Sequence, residues 1–192
     1  MPEDEKNFIR LLKKRDEQAF ELFIRKYKNM VFSLALRFLG NYAEAEDITQ
    51  EIFITVFKRI DTFRGESSIS TWLYRMAVNH CKNRVKYLSR RKTYQQGDNI
   101  EIRQSKAEGY MAARPDKPDE ILEAKETEKM ISQALQGLDE DHRTILLLRE
   151  LESLSYQQIA EILELEEGTV KSKLHRARQA FFVRYRKIKD EK

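Results

Sequence analysis

The chain has 192 residues, room for one large domain or two small ones, and 35% charged and 41% hydrophobic residues with only three prolines and six glycines, a helix-rich composition. No apolar run approaches the roughly 18 residues that a membrane span needs, and the opening MPEDEKNFIR lacks the apolar segment of a signal peptide, so a cytoplasmic protein without membrane insertion is expected. The net charge of +4 is modest, and its distribution carries more information than its sum.

In chain order, Phe8, Leu11, Leu12, Phe20, Phe23, Ile24, Tyr27, Val31, Leu34 and Phe38 recur at helical intervals. They predict two helices over residues 6–39, broken near Lys14 to Asp16, with Gly40-Asn41 ending the second. A third helix is predicted from Ala43 to about Asp61, with Ile48, Ile52, Phe53, Val56, Phe57 and Ile60 as its buried side. Beside them Glu44, Asp47 and Glu51 form an acidic strip. Acids near a helix N-terminus are favoured by its dipole, and such a strip also suits a basic partner protein. The residues by themselves lean toward the first explanation.

Arg64 to Ser70 reads as a polar loop, with Ser70 the expected N-cap of a helix opening at Thr71 or Trp72. Leu73, Tyr74, Ala77, Val78, Cys81, Val85 and Leu88 make its buried side, and lone Cys81 reads as a small buried hydrophobe. Arg75, Asn79, Lys82 and Lys86 make a polar stripe flanked by Trp72 and Asn83. From Arg75 to Lys92 there are seven Lys/Arg and no acid. Such a stripe suits a phosphate backbone, with aromatics to stack on unpaired bases; the alternative is a solvated basic face with Trp72 in the core. Residues 93–125 then lose the apolar period and read as a linker.

The helical pattern returns from about Glu126 through Met130, Ile131, Leu135 and Leu138, then Arg143 to Leu151 after Asp139-Glu140-Asp141. Ser155 and Gln158 form a capping box opening a helix buried through Tyr156, Ile159, Ala160 and Leu163. A turn over Leu165 to Gly168 leads to a second helix with Val170, Leu174, Ala177 and Phe181 inward, and Lys171, Ser172, His175, Arg176 and Gln179 outward. From Gly168 to Lys192 there are nine Lys/Arg against two Asp/Glu. This is a helix-turn-helix pattern, whose second helix fits the major groove; a solvated helix hairpin is the alternative. There is no phosphate-binding glycine loop, no paired cysteines and no HExxH, and His80, His142 and His175 are isolated, so neither an enzyme nor a metal or cofactor site is expected.

Four segments, AEAEDITQEIFITVFKRIDTFRGES, STWLYRMAVNHCKNRVK, LSYQQIAEIL and GTVKSKLHRAR, resemble in order and spacing the bacterial RNA polymerase sigma factors of the extracytoplasmic-function group. The resemblance implies an all-α chain of two small helical domains: sigma region two over residues 1–92, a flexible linker over 93–125, and sigma region four over 126–192. It implies binding to core RNA polymerase, at the β′ clamp coiled coil through Asp47, Gln50, Glu51 and Phe53 and at the β flap. It places the −10 promoter element on the loop bearing Arg64, Ser67 and Ser68, and on Trp72, Arg75, Asn79, Lys82, Asn83 and Lys86, with Asn79 the leading base reader beside a flipped base. The −35 element falls to Lys171, Ser172, His175 and Arg176 at bases, joined by Thr169, with Lys173, Arg178 and Arg149 at phosphates. An anti-sigma protein is a further implied partner. Glu166 and Glu167 stand in the turn where fewer acids are expected, and His175 leaves the −35 sequence open. The competing readings are a stand-alone helix-turn-helix regulator that binds paired half-sites as a dimer, and a helical adaptor with no salt-dependent DNA affinity.

Overall fold

The helices open and close where their end residues satisfy the backbone. The computed structural model describes residues 3–95 and 118–191. Helix α1 (Glu3–Lys13) stops at Arg15, which has φ 62, and the Asp16 carboxylate then accepts the Ala19 N–H at 2.8 Å to start α2 (Glu17–Leu39). Gly40 closes α2 in the left-handed region at φ 65, donating its N–H to Leu36 O at 2.8 Å. Asn41 belongs to the next helix rather than the last: its side chain accepts the Glu44 N–H at 3.0 Å and caps α3 (Tyr42–Arg59). A 3-10 turn over Ile60–Thr62 follows. The predicted cap Ser70 lies inside α4 (Ile69–Gln95), whereas Ser68 Oγ accepts the Thr71 N–H at 3.0 Å. Starting earlier brings Ile69 into the core at 2% exposure.

Helices α1–α4 pack around Leu12, Phe23, Leu34, Phe38, Ile52, Ile60 and Leu73, all fully buried. Phe57 departs from its predicted place in the core. It is 47% exposed, with its ring beside Phe20 and under the Arg15 guanidinium.

Helix α5 (Pro118–Gln136) opens inside the expected linker, with Pro118 at its first position, where the missing N–H costs nothing; residues 96–117 of that linker lie outside the described residues. Asp139 accepts the His142 N–H at 2.9 Å and caps α6 (Glu140–Leu146), which runs on as a π turn over Leu147–Leu151. The capping box at Ser155 is present in both directions and opens α7 (Tyr156–Leu163). The turn ends two residues earlier than expected. Glu164 takes the left-handed position at φ 56 and Glu166 precedes α8 (Glu167–Asp190), so Gly168 is already helical. Glu166 and Glu167 therefore sit at the positive end of the α8 dipole, which favours them.

The sequence suggests two separate domains; the structure shows them closed on one continuous set of buried residues. Helix α4 packs on α7, and α2 packs on α5. The Arg143 guanidinium, 6% exposed, donates to Leu135 O at 3.0 Å, Gln136 O at 2.7 Å, Leu138 O at 3.1 Å and, across the two halves, Phe38 O at 2.9 Å. Gln136 Nε2 joins it on the end of α2, reaching Arg37 O at 3.2 Å and Phe38 O at 3.3 Å. Burial lowers the Arg143 pKa, against the pull of Glu140 and Asp139.

A second link is the hydrogen bond from Tyr74 Oη to Glu152 at 2.6 Å. Burial pushes the Glu152 carboxyl above its ordinary range, opposed by that bond and by Arg37; burial and Glu152 together push the Tyr74 hydroxyl up, so it stays protonated.

Two outcomes test these links. Arg143→Met removes a donor from four carbonyls, of which Phe38 O keeps Gln136 Nε2 and Leu135 O keeps the Leu138 N–H, and should cost about 3 kcal/mol in urea unfolding; a loss below about 1 kcal/mol would show that other donors replace it. Glu152 binds its proton more tightly folded than unfolded. The stability this adds is complete below the unfolded pKa of about 4.3 and disappears as pH rises through the raised folded value. Thermal melts across that range should therefore show wild type losing ground to Glu152→Gln, which keeps the acceptor for Tyr74. Parallel curves would remove Glu152 from the pH response.

Candidate nucleic-acid interface

Helix α8 presents the surface expected of it. Val170, Leu174 and Ala177 are buried against α6 and α7, leaving Lys171, Ser172, His175, Arg176 and Gln179 exposed along one side. Phe181 is only partly buried, stacked on Tyr185 at 6.0 Å, and the neighbouring Phe182 and Val183 are exposed. Thr169 is half-buried at the helix start, with its carbonyl accepting from Ser172 Oγ at 3.0 Å. The ring of Tyr156, expected to be plain core, lies between two cations: Arg149 at 4.9 Å and Lys171 at 5.8 Å from its centroid. Arg149 is also fixed by a bond to Leu154 O at 2.7 Å. The two α8 cations expected at phosphates are engaged within their own half, Lys173 with Asp141 at 3.0 Å and Arg178 with Glu150 at 2.6 Å.

The α4 stripe is placed differently from its expectation as a free basic face. Asn79, Asn83 and Lys86 are exposed, but Arg75 and Lys82 lie against the C-terminal half. Arg75 donates to Glu161 O at 2.5 Å and pairs with Glu164 at 3.4 Å, while its Nε, among the described residues, has no partner. Lys82 pairs with Asp141 at 3.0 Å and Glu140 at 3.5 Å, and Lys86 reaches Glu140 at 3.5 Å. Between α4 and α7 a crevice of about 120 Å³ remains, with Arg75, Asn79 and Lys82 on one wall and Leu163 and Glu164 on the other. Nothing in the sequence signals this closure, because the hydrogen-bonded partners Lys82–Asp141 and Arg75–Glu161 are 59 and 86 residues apart.

The loop before α4 is held from below. Phe63 is buried and packs on the half-buried Trp72 ring at 5.6 Å, and Lys13 Nζ donates to Phe63 O at 2.8 Å. Arg15 donates to Phe57 O and pairs with Asp61. Gly65, at φ 76, turns the loop so that Arg64 is exposed and Ser67 half-buried. Ser68 is spent largely as the helix cap, bonded to Ser70 and Thr71 hydroxyls at 2.8 and 2.9 Å.

On α3, Asp47, Gln50 and Glu51 are exposed together, and half-buried Phe53 sits edge-on to Phe23 at 6.1 Å. Arg84 of α4 lies across the acidic strip, 2.5 Å from Glu44, 3.6 Å from Asp47 and 3.8 Å from Glu51; desolvation is the largest single effect on it and lowers its pKa, but the three carboxylates together outweigh it and raise the pKa. Asp47 and Glu51 keep 65% and 51% of their side-chain surface, so the strip still presents acid to a partner. Sequence reasoning missed Ile54, 53% exposed on the same face as Asp47, Gln50 and Glu51; its apolar side chain at i+7 from Asp47 was the available signal.

Cys81 is fully buried and burial pushes its thiol up to about 12, so it packs as a small hydrophobe. Among the described residues no group of three or more His, Cys, Asp or Glu is placed to hold a metal ion, and no helix is long and apolar enough to cross a membrane.

Residues 23–91 match the Sigma-70 region 2 family and residues 128–181 match Sigma-70 region 4. The chain is 36% identical over 179 residues to the RNA polymerase sigma-H factor of Pseudomonas aeruginosa, covering 93% of this chain and 92% of that one. It is 35% identical over 172 residues to the ECF RNA polymerase sigma-E factor of Escherichia coli, covering 90% and 89%. Among solved structures, it shares its fold with the sigma factor RpoE in complex with the anti-sigma factor NepR from Bartonella quintana, at 21% identity, TM-score 0.65 and coverage of 87% and 96%. CnrH in complex with the cytosolic domain of CnrY aligns at 16% identity, TM-score 0.66 and coverage of 93% and 95%. With a basic helix-turn-helix matched to region 4, a second basic helix matched to region 2 and relatives of this identity over nearly the whole chain, the protein belongs to the extracytoplasmic-function group of RNA polymerase sigma factors.

Proposed function

We propose that the sigma-factor activity of this chain, binding core RNA polymerase and directing promoter-specific initiation, is divided among three surfaces. The observation that carries the division is the exposed row Lys171, Ser172, His175 and Arg176 on a helix that buries Val170, Leu174 and Ala177 on its opposite side. That row reads the −35 element in the major groove, with Thr169 beside it and Lys173, Arg178 and Arg149 at phosphates. The exposed Asn79, with Arg64, Ser67, Ser68, Trp72, Arg75, Lys82, Asn83 and Lys86, takes the −10 element and holds an unpaired base. Asp47, Gln50, Glu51 and Phe53, with Ile54 as an apolar anchor, contact the polymerase β′ clamp coiled coil, and the C-terminal half meets the β flap. Residues 1–92 and 126–192 serve as the region-two and region-four units, the latter extended by the first turns of α5.

The chain acts in the cytoplasm by binding rather than by catalysis, and an anti-sigma protein holds it inactive. Promoter elements centred near −10 and −35 are about 25 base pairs apart, or about 85 Å along the duplex. Helices α4 and α8 here share the carboxylate of Asp141, so the halves must separate for both elements to be bound. Binding across the polymerase supplies that separation.

Run-off transcription with purified core polymerase tests the assignments. Asn79→Ala should lower open-complex yield about tenfold or more without weakening duplex binding. His175→Ala should relax selection at one −35 base pair by about 1–3 kcal/mol. Asp47→Lys should weaken the complex with core while leaving the melting temperature in place. Full transcription from all three variants would remove the residue assignments, and no complex between wild type and core would remove the activity itself.

A further inference from the structure

Five cations on the two proposed DNA surfaces, Arg75, Lys82, Lys86, Lys173 and Arg178, are already paired with carboxylates in this conformation. Of these, Lys82 of α4 and Lys173 of α8 meet the same group, the Asp141 carboxylate, each at 3.0 Å. Their two hydrogen bonds hold that carboxyl below its ordinary range, against burial. Glu140 beside it takes Lys82 and Lys86 at 3.5 Å each, and Glu164 takes Arg75 at 3.4 Å. Lys82 and Glu140 retain only 20% and 24% of their side-chain surface, so this contact is shielded from solvent and salt more than a rim ion pair.

The geometry points to an internal competitor for promoter DNA: Asp141, with Glu140, occupies the place of phosphate oxygens on both basic helices at once and keeps the free chain closed. This rests on the proposal that α4 and α8 are the DNA surfaces. A phosphate that takes Lys82 or Lys173 removes one of the two cations that hold Asp141. Engagement of either promoter element thereby loosens the hold on the cation for the other. Asp141 touches no DNA itself. It also stands in the first turn of α6, where an uncharged amide of the same shape is tolerated.

The test uses the full chain with and without core polymerase. Fluorescent labels are placed on the exposed positions Lys28→Cys and Lys187→Cys, one in each half, and a dye-labelled promoter duplex is the probe. Asp141→Asn should lengthen the label separation. It should also tighten binding of the free chain to the duplex about tenfold at low salt. Transcription by the holoenzyme should stay at the wild-type level, because the polymerase has already separated the halves. Glu150→Gln removes an acid that pairs only with Arg178 inside the C-terminal half. It controls for the general gain from losing a negative charge, and should leave the separation unchanged with binding altered about threefold or less.

An Asp141→Asn affinity no greater than that of Glu150→Gln, with unchanged separation, overturns the competitor role. If Asp141→Asn does not fold by circular dichroism, the labelled chain without that substitution decides. Its separation must lengthen both with added salt and with added duplex, and a constant value overturns the proposal. Should the wild-type holoenzyme fail to bind or transcribe the promoter, the fault lies with the DNA surfaces. A transcribing holoenzyme beside an unaltered free-chain affinity counts against Asp141 alone.

Discussion

The buried guanidinium of Arg143 is the constraint around which the two halves are arranged. A helix end leaves carbonyls without intrahelical donors, and here the ends of α2 and α5 meet at one place in the interior. Arg143 is suited to that place because its planar fork offers five donors in fixed directions. Four carbonyls from two helix ends, one of them in the other half, collect on it. Among the described residues no carboxylate pairs with it; Glu140 and Asp139 act on its charge without touching it, and the negative ends of two helix dipoles face it. Three of the four carbonyls belong to the C-terminal half itself. Of the Arg143 bonds only the one to Phe38 O crosses between the halves, together with those of Gln136.

Beside the buried apolar residues they share, the halves are joined by ion pairs of a kind that can be exchanged. Exposed ion pairs contribute about 0–1 kcal/mol each, and those joining α4 to α6 and α7 are surface or half-buried. The ion-paired part of this interface exchanges more readily than its apolar part, because water, salt or another charged group can replace a charged partner. The same chemistry explains why acids occur beside the cations of α4 and α8 at all. Glu140, Asp141, Glu150 and Glu164 each neutralise a specific basic side chain, while Glu166 and Glu167 sit at the start of α8.

Local structure was legible in the sequence wherever it depends on neighbours within a helical turn or two. The break at Lys14 to Asp16, the Gly40 stop, the Ser155 capping box and the outward row on α8 all follow from spacing and capping chemistry. Ser70 was misread because two candidate caps stand close together, and burial of Ile69 decides for Ser68. Phe57 falls on the edge of the apolar arc of α3, where periodicity cannot tell a packed ring from an exposed one. The cover over Arg75 and Lys82 was not legible for a different reason. An ion pair between residues far apart in the chain leaves no periodic trace, and Asp139-Glu140-Asp141 reads locally as a helix cap, which it also is.

The π turn that ends α6 shapes what lies beyond it. Glu152 N–H bonds back to Leu147 O at 3.2 Å, a ring one residue wider than the α-helical one. A bulge of this kind corresponds to one additional residue accommodated without breaking the helix. It turns everything downstream by roughly 100° relative to an uninterrupted helix. That rotation aims Arg149 at the Tyr156 ring while Leu147 and Leu148 both stay buried. Excising a single position from Leu147–Leu151 would therefore act as a wrench on the whole helix-turn-helix, re-indexing its attachment while leaving every exposed side chain of α8 unaltered.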